Sequence, residues 1–182
     1  MGVYQQPLRS PEEVANLRRA IIEEAMTWVG TPYHSQARLK GVGADCLTFI
    51  AGVLINVGII PPSVEIPFYR QDFMKHLHSE NYLNGLLDYG REIHDSEKQP
   101  GDVVLYKLKG AGVYCHTGII IEWPKIIHCY MQGVLVVNGT HLGFGSRPRK
   151  ILTVFLPQPG ETPLLPTPEE PTIYPPIIQL PS

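Results

Sequence analysis

A single cysteine stands where a glycine-containing loop gives way to an apolar run. Cys46 ends the segment Gly41-Val42-Gly43-Ala44-Asp45-Cys46 and opens a stretch that reads as a helix. A thiol at a helix N-terminus meets unpaired N–H groups and the positive end of the helix dipole, and both favour the nucleophilic thiolate. The sequence therefore offers Cys46 as a nucleophile. The structural alternative is a small buried cysteine at the start of a core helix.

Two histidines downstream supply the base that such a nucleophile needs. His116 opens a predicted strand, and His128 lies in the next strand, across the turn Trp123-Pro124-Lys125. Antiparallel pairing around this turn places His128 opposite a residue between 118 and 121, with His116 toward the same end. His116 would take the Cys46 proton and later protonate the leaving amine, and His128 would orient His116. The pair could also rest as thiolate and imidazolium, since each charge favours the other.

The other ligand-type residues do not form a metal pattern. Cys115 precedes His116 and Cys129 follows His128, so alternation along a strand turns both cysteines away from the thiol, into the core. No Cys-x-x-Cys or His-x-x-x-His spacing appears, which makes zinc the less favoured interpretation. We predict no metal and no other cofactor. Asp45 is expected to be a cap or a structural acceptor rather than a catalytic acid.

Two helices and an antiparallel sheet must position these groups. Ser10 and Glu13 form a capping box that starts the first helix, and a second, central helix is predicted over 45–57. One or two short helices are expected over 69–89. Strands are expected over 102–106, 116–122, 126–130, 134–137 and 151–155. Helices first and an antiparallel sheet after them indicate an α+β domain.

Composition limits the possible functions. A length of 182 residues suggests one domain, and a net charge of −2 argues against nucleic-acid binding or electrostatic attachment to a membrane. No apolar run approaches the roughly 20 residues of a membrane span. The first residues lack the basic and apolar regions of a Sec signal peptide. Three cysteines, an odd number, fit synthesis in a reducing compartment rather than a disulfide framework.

The chain divides into a domain over 1–156 and a proline-rich tail over 157–182. Nine of the eighteen prolines lie in this tail, so we expect extended, polyproline-like chain there. The tail also carries large apolar residues, which solvated linkers rarely hold. They are Leu164, Leu165, Ile173, Tyr174, Ile177, Ile178 and Leu180. A disordered terminus and an arm that docks on a partner protein both remain open.

These motifs, taken in order, resemble those of the NlpC-type cell-wall cysteine peptidases. The matching segments are Gly30-Thr31-Pro32-Tyr33, Gly43-Ala44-Asp45-Cys46-Leu47-Thr48-Phe49, Pro100-Gly101-Asp102-Val103-Val104, His116-Thr117-Gly118-Ile119 and the strand with His128. The resemblance covers residues 10–155 and implies a papain-like α+β fold. It implies cleavage of peptide bonds in the stem peptides of bacterial peptidoglycan, typically next to D-glutamate and a diamino acid.

The same resemblance implies a role for each site residue. Cys46 would be the nucleophile, His116 the base and His128 the orienting residue of a Cys-His-His triad. Tyr33 would line the site with its hydroxyl near the reacting carbonyl. Asp45 is predicted to bind substrate together with Tyr33. The sequence departs from the family at one position, since a threonine follows Cys46-Leu47 where the family commonly has glycine.

The sequence of residues 41–47 most resembles that of the peptidases encoded in phage-tail and gene-transfer-agent gene sets. Such a protein would be made in the host cytoplasm, sit at the virion tail tip, and act at the bacterial cell wall. Its C-terminal arm would dock on tail-tip or tail-hub proteins. The alternative from another class is a structural tail-tip component that keeps the fold without necessarily keeping the activity. A thiol acyltransferase acting on lipids is a third hypothesis, against which the lack of an amphipathic membrane helix counts.

Truncation after Leu156 tests the tail. Cleavage of muropeptides by the shortened chain is expected to be unchanged, because no candidate site residue lies beyond that point. Incorporation into a particle or complex is expected to weaken, since proline lowers the entropy that an arm loses on docking. Mass analysis of digested muropeptides and a particle-incorporation assay measure the two effects. Unfolding or inactivity of the truncated chain would mean that the arm packs on its own domain.

Overall fold

The computed structural model describes residues 9–66, 69, 80–141, 143 and 146–154, and the tail predicted over 157–182 lies outside them. This part of the chain forms three α-helices, a short 3₁₀-helix and eight strands. The helices are α1 (Pro11–Met26), α2 (Cys46–Asn56) and α3 (Asn81–Leu87), with the 3₁₀-helix at Asp95–Glu97. The strands are β1 (Arg38–Leu39), β2 (Gly43–Ala44), β3 (Arg91–Ile93), β4 (Val103–Tyr106), β5 (His116–Glu122), β6 (Lys125–Tyr130), β7 (Gly133–Asn138) and β8 (Arg149–Thr153).

Helix α1 begins at the predicted capping box. The Ser10 hydroxyl accepts from the Glu13 backbone N–H, and the Glu13 carboxylate accepts from the Ser10 N–H. The helix buries a stripe of apolar residues and ends at Met26, so Trp28 lies just beyond it. The Trp28 ring packs edge-on against Phe49 of α2, with the ring centroids 5.9 Å apart. This contact joins the two long helices.

Helix α2 is the central element of the domain. It begins one residue later than the sequence predicts, because Asp45 is the N-cap and keeps an extended backbone. Eight of its eleven residues are buried, in agreement with its apolar sequence. Trp28 contacts α2 at Gly52, where an added Cβ would overlap the indole ring. Close approach of α1 therefore depends on a glycine at this position.

The main sheet is antiparallel and has the strand order β3-β8-β4-β5-β6-β7. One face packs with the helices and includes Ile119 and Ile127. The opposite face forms a second, smaller core that includes Tyr106, Ile120 and Ile126. Antiparallel strands follow helices, so the predicted α+β arrangement is observed among the described residues.

The structure contains short strands that the sequence did not predict. The β1–β2 hairpin and strand β3 were not predicted, because strands of two or three residues are too short to show an alternating pattern. Within the predicted helical region 69–89, the structure has α3, while residues 70–79 lie outside the described part. Among the described residues, no helix has the length and apolar character needed to cross a membrane.

A turn glycine fixes the loop before Tyr33 to the sheet. Gly133 opens β7 with a φ of 97°, and an added Cβ would overlap the Thr31 carbonyl oxygen. The neighbouring backbone bonds run from Val134 N–H to the Thr31 oxygen (2.8 Å) and from Gly30 N–H to the Val134 oxygen (2.9 Å). Any side chain at position 133 must therefore disturb this junction.

Replacing Gly133 by alanine is expected to lower the free energy of unfolding by about 2–4 kcal/mol, because it adds a clash to the backbone strain. Gly110→Ala is the matched control: Gly110 also has a positive φ, of 80°, but its added Cβ would meet nothing within 4 Å. We expect only about 1 kcal/mol of loss there. Denaturant melts measure both values, and equal losses would mean that the Thr31 contact is unimportant.

Candidate active site

The Asp45 carboxylate organises the start of α2. Its Oδ1 accepts from the backbone N–H groups of Leu47 (3.1 Å) and Thr48 (3.0 Å) and from the Thr48 hydroxyl (3.0 Å). Its Oδ2 accepts from the Gln36 backbone N–H (2.7 Å) and from the Tyr69 hydroxyl. The expected cap and structural acceptor is therefore observed. A role for Asp45 in substrate binding stays a prediction.

Thr48 has a structural reason to be a threonine. Its Oγ1 also accepts from the Asp45 backbone N–H at 2.9 Å, which closes a capping box between these two residues. Glycine at this position would lose both side-chain bonds. Thr48 thus strengthens the turn that presents Cys46.

Cys46 is the first residue of α2 and is 8% exposed. Its Sγ lies 3.9 Å from the carbonyl oxygen of Cys115, the residue directly before His116. The thiol therefore reaches the sheet where β5 begins. A rotation about the Cα–Cβ bond is the movement by which the thiol could leave this carbonyl for another acceptor.

The two histidines form a direct pair. His128 lies across from Gly118 in the register of β5 and β6, within the range expected from the turn between them. An added Cβ on Gly118 would lie 3.4 Å from the His128 Cβ and 2.9 Å from the Ile127 carbonyl oxygen, so glycine gives the pair its room. The His116 Nε2 and the His128 Nδ1 are 2.8 Å apart, a hydrogen-bond distance. This bond leaves Nδ1 of His116 as the nitrogen that can face a thiol.

The thiol reaches the end of the sheet where β5 begins, and the histidine pair lies on the side of the sheet away from the helix core. His116 pairs with Tyr106 and shares its side of the sheet, the side of the smaller core. Cys129 lies on the helix side, and its Sγ donates to the Ala44 carbonyl oxygen at 3.2 Å. Alternation along β6 does place Cys129 and His128 on opposite faces of the sheet. However, α2 packs on the face that carries Cys129, so this cysteine lies beneath the loop that leads to Cys46 rather than away from it.

Burial sets the protonation states of the site. It raises the pKa of the Cys46 thiol well above its usual value, and the nearby Asp45 carboxylate raises it further. Burial, with a smaller contribution from His128, lowers the pKa of His116 to about 3, and burial lowers that of His128 to about 4. At neutral pH the resting site therefore holds a neutral thiol and two neutral imidazoles. The expected thiolate–imidazolium rest state is not favoured, since desolvation penalises both charges.

Several tyrosines surround these groups. The backbone of Tyr33 forms a bridge with Ala44, which places it beside the loop that ends at Cys46. The Tyr82 hydroxyl donates to the Cys46 carbonyl oxygen at 3.4 Å. Tyr69 and Tyr82 were not singled out from the sequence, because both follow the proline-rich break after α2 and carry no spacing signal. A contact of the Tyr33 hydroxyl with substrate stays a prediction.

Tyr130 is the site residue that the sequence could have revealed. It lies two positions after His128 in β6, so the period of a strand puts it on the same side. Its ring meets His116 edge-on, with the centroids 5.5 Å apart, and is nearly parallel to His128 at 6.3 Å. Because Tyr130 is 43% exposed while both histidines are buried, it covers the pair on the solvent side.

No group of three or more potential metal ligands is found among the residues that the structure describes. These residues leave Cys46, Cys115 and Cys129 as free thiols, all of them buried.

Comparison with solved structures identifies the fold. The NlpC/p60 domain of the peptidoglycan hydrolase SagA superposes with a TM-score of 0.52 at 20% identity, over 74% of this chain and 97% of that domain. The peptidoglycan hydrolase RipB from Mycobacterium tuberculosis gives 0.53 at 17% identity, over 81% of this chain and 69% of RipB.

An NlpC/p60 family protein from Bacillus cereus gives a TM-score of 0.54 at 16% identity, over 84% of this chain and 42% of that protein. This chain thus spans less than half of the Bacillus cereus protein. No protein-family model matches the sequence, and no curated protein sequence matches it. The structural likeness shows that the chain has the fold of NlpC/p60 domains, and it confirms the predicted fold class.

Acid should unfold the domain through its histidine pair. The unfolded chain binds protons near the ordinary pKa of 6.5, whereas the folded histidines bind them near 3 and 4. Stability is therefore complete above pH 6.5 and falls as pH drops from 6.5 toward 4. Each histidine contributes a slope of up to about 1.4 kcal/mol per pH unit. Denaturant melts across this range measure the slope.

The double variant His116→Gln with His128→Gln should show a flatter profile over the same range. His141→Gln is the control, because His141 is exposed and the variant keeps both buried histidines. It should follow the wild-type curve. A flat wild-type profile between pH 6.5 and 4 would contradict the burial of a neutral pair.

Proposed function

We propose that this chain is a cysteine peptidase that cleaves peptide bonds in the stem peptides of bacterial peptidoglycan. The observation that carries the proposal is the thiol of Cys46 at a helix start, beside the strand that begins with His116, which is itself bonded to His128. The NlpC/p60 fold supports the choice of substrate, since SagA and RipB are both described as peptidoglycan hydrolases.

In the first chemical step, the Cys46 thiol turns from the Cys115 carbonyl toward Nδ1 of His116. The imidazole takes the proton, and the thiolate attacks the carbonyl carbon of the scissile bond. His116 then gives this proton to the leaving amine, and a thioester remains on Cys46. Water activated by the same imidazole hydrolyses the thioester. The lowered pKa of His116 keeps the base unprotonated at neutral pH.

His128 holds His116 in the required tautomer. When Nε2–H of His116 donates to Nδ1 of His128, Nδ1 of His116 is left as the acceptor for the thiol proton. The same bond steadies the imidazolium that forms after proton transfer. Tyr130 shields this bond from water, and the Tyr33 hydroxyl is proposed to lie near the reacting carbonyl.

We further propose that the protein works at a phage tail tip, where it acts on the cell wall after synthesis in the host cytoplasm. The support is the likeness of residues 41–47 to tail-encoded peptidases and the proline-rich tail, which suits docking on tail-tip or tail-hub proteins. Isolation of particles followed by mass identification of this chain tests the location.

A structural tail-tip component is the second candidate. One observation favours it: the Cys46 thiol is buried, burial raises its pKa well above the usual value, and its Sγ lies 3.9 Å from the Cys115 carbonyl oxygen. In that case the fold would serve assembly, and purified protein would leave muropeptides intact.

Replacement of the nucleophile separates the two candidates. Cys46→Ala and Cys46→Ser should each reduce muropeptide cleavage by at least about 10³-fold. Alanine has no nucleophilic atom, and the serine hydroxyl is a weaker nucleophile than the thiolate, so the acyl-enzyme does not form at a comparable rate. Mass analysis of the products measures cleavage, and thermal melts check that the fold is kept. The matched control is the pair Cys115→Ala with Cys129→Ala, two buried cysteines outside the proposed triad. It should retain near wild-type activity.

Full activity in Cys46→Ala would end the cysteine-peptidase proposal. If the double control lost both its activity and a bound zinc ion, a metal site would instead become the favoured interpretation. Wild-type protein that folds but cleaves no muropeptide would favour the structural candidate.

A further inference from the structure

The ring of Tyr130 packs against both imidazoles of the histidine pair. The Tyr130 and His116 centroids are 5.5 Å apart with the ring planes at 84°, and the Tyr130 and His128 centroids are 6.3 Å apart with the planes at 11°. Both distances fall within the range of about 4.5–7 Å that is typical of aromatic pairs. The three rings therefore form one packed cluster, of which Tyr130 is the exposed member.

The strand register directs the Tyr130 ring toward His116. Gly118 pairs with His128 between β5 and β6. Two residues further along both strands, the same antiparallel register sets Tyr130 opposite His116, where side chains share one face of the sheet. On its other side, Tyr130 pairs with Gly133 of β7, which has no side chain. Of these two opposite positions, only His116 offers the tyrosine a side chain to pack on.

The turn that carries Tyr130 is anchored to another part of the chain. Gly133, its partner across the turn, has no room for a Cβ beside the Thr31 carbonyl oxygen. The Val134 N–H donates to the same oxygen at 2.8 Å. The position of the tyrosine is therefore set by the loop that contains Thr31 as well as by β6.

This packing opposes a reversal of the His116 ring. A histidine ring can turn over about its Cβ–Cγ bond, because that torsion is broad and nearly two-fold. The reversal exchanges Nε2 with Cε1 and so breaks the 2.8 Å bond from Nε2 of His116 to Nδ1 of His128. As it turns, the His116 ring sweeps through the space beside it, and the perpendicular Tyr130 ring occupies part of that space. Removing the tyrosine ring opens the space that a reversal needs.

Tyr130 is the surface neighbour of His116 within a row of residues that crosses three strands. On the opposite side of His116, Tyr106 is its partner in the register of β4 and β5. Tyr106 is fully buried, and its hydroxyl donates to the Gly139 carbonyl oxygen at 3.1 Å. A substitution at position 130 therefore changes the surroundings of His116 without removing a core side chain.

We propose that Tyr130 is a positioning residue of the peptidase: its ring holds the His116 imidazole in the orientation in which Nε2 meets His128. Nδ1 of the same imidazole is then the nitrogen that accepts the proton of Cys46. The inference rests on the proposed function, because it makes turnover depend on this orientation. The role requires the ring and not the hydroxyl, so phenylalanine can replace the tyrosine.

Removal of the ring tests its role in turnover. Tyr130→Ala should lower kcat for muropeptide cleavage about tenfold while KM changes by less than about threefold, because the base is misplaced and substrate binding is kept. Tyr130→Phe retains the ring and should keep kcat within about twofold of wild type. Met131→Ala is the matched control: it removes another exposed side chain, from the next residue, and should leave both constants unchanged.

Nitrogen-15 spectra of histidine-labelled protein report the orientation without turnover. At neutral pH, His116 in wild type and in Tyr130→Phe should be a single neutral tautomer, protonated at Nε2. In Tyr130→Ala it should be a mixture of the two tautomers, because a reversed ring no longer donates from Nε2 to His128. The signals missing from His116→Gln identify this residue. Thermal melts check folding, and if Tyr130→Ala unfolds, Tyr130→Leu replaces it, since leucine keeps apolar bulk without a flat ring. The same mixture and the same fall in kcat are expected there.

Three results would overturn the inference. They are a wild-type tautomer in the variant without the ring, a mixed tautomer with unchanged kcat, and a loss in Tyr130→Phe as large as that in Tyr130→Ala. Failure of the proposed function is a separate result: wild-type protein that folds but cleaves no muropeptide would end the peptidase proposal. In that case the spectra would still decide whether Tyr130 orients His116.

Discussion

The buried carboxylate of Asp45 is the constraint on which the site depends. It accepts hydrogen bonds from three separate parts of the chain: the first turn of α2, the Gln36 backbone and the Tyr69 hydroxyl. A buried carboxylate is costly unless its oxygens are satisfied, so these segments are tied together at one point. The loop, the helix start and Tyr69 therefore take up one arrangement, and Cys46 is presented at its centre.

The main sheet carries the histidine pair, His116 and His128, near one of its ends. The helices cover one face, the histidine pair belongs to the other, and the thiol reaches the boundary at the Cys115 carbonyl. Each group is buried enough to lose its charge at rest. Low polarity around the pair also strengthens the bond between His116 and His128. In the proposed mechanism, proton transfer creates the thiolate only when a substrate has entered, next to the carbonyl that it attacks.

The hydrogen bonds that hold Asp45 also shape a cleft lined by Gln36, Thr48 and Tyr69. Residues that hold Asp45 in place also line the cleft, so their polar atoms are used before any ligand arrives. Thr48 and Tyr69 both bond to Asp45, the cap of the helix that begins at Cys46. The Thr48 hydroxyl also closes the capping box with Asp45.

The sequence by itself determined the elements that local chemistry controls. The capping box at Ser10, the helix that follows Asp45 and the pairing of β5 with β6 were readable from side-chain types and spacing, because caps, turns and strand periods act over a few residues. What only the tertiary structure decided is how these elements meet. The pKa shifts of the histidines depend on burial, and the place of Cys129 depends on which face of the sheet α2 covers. Each of these is a contact between distant segments, which no local pattern specifies.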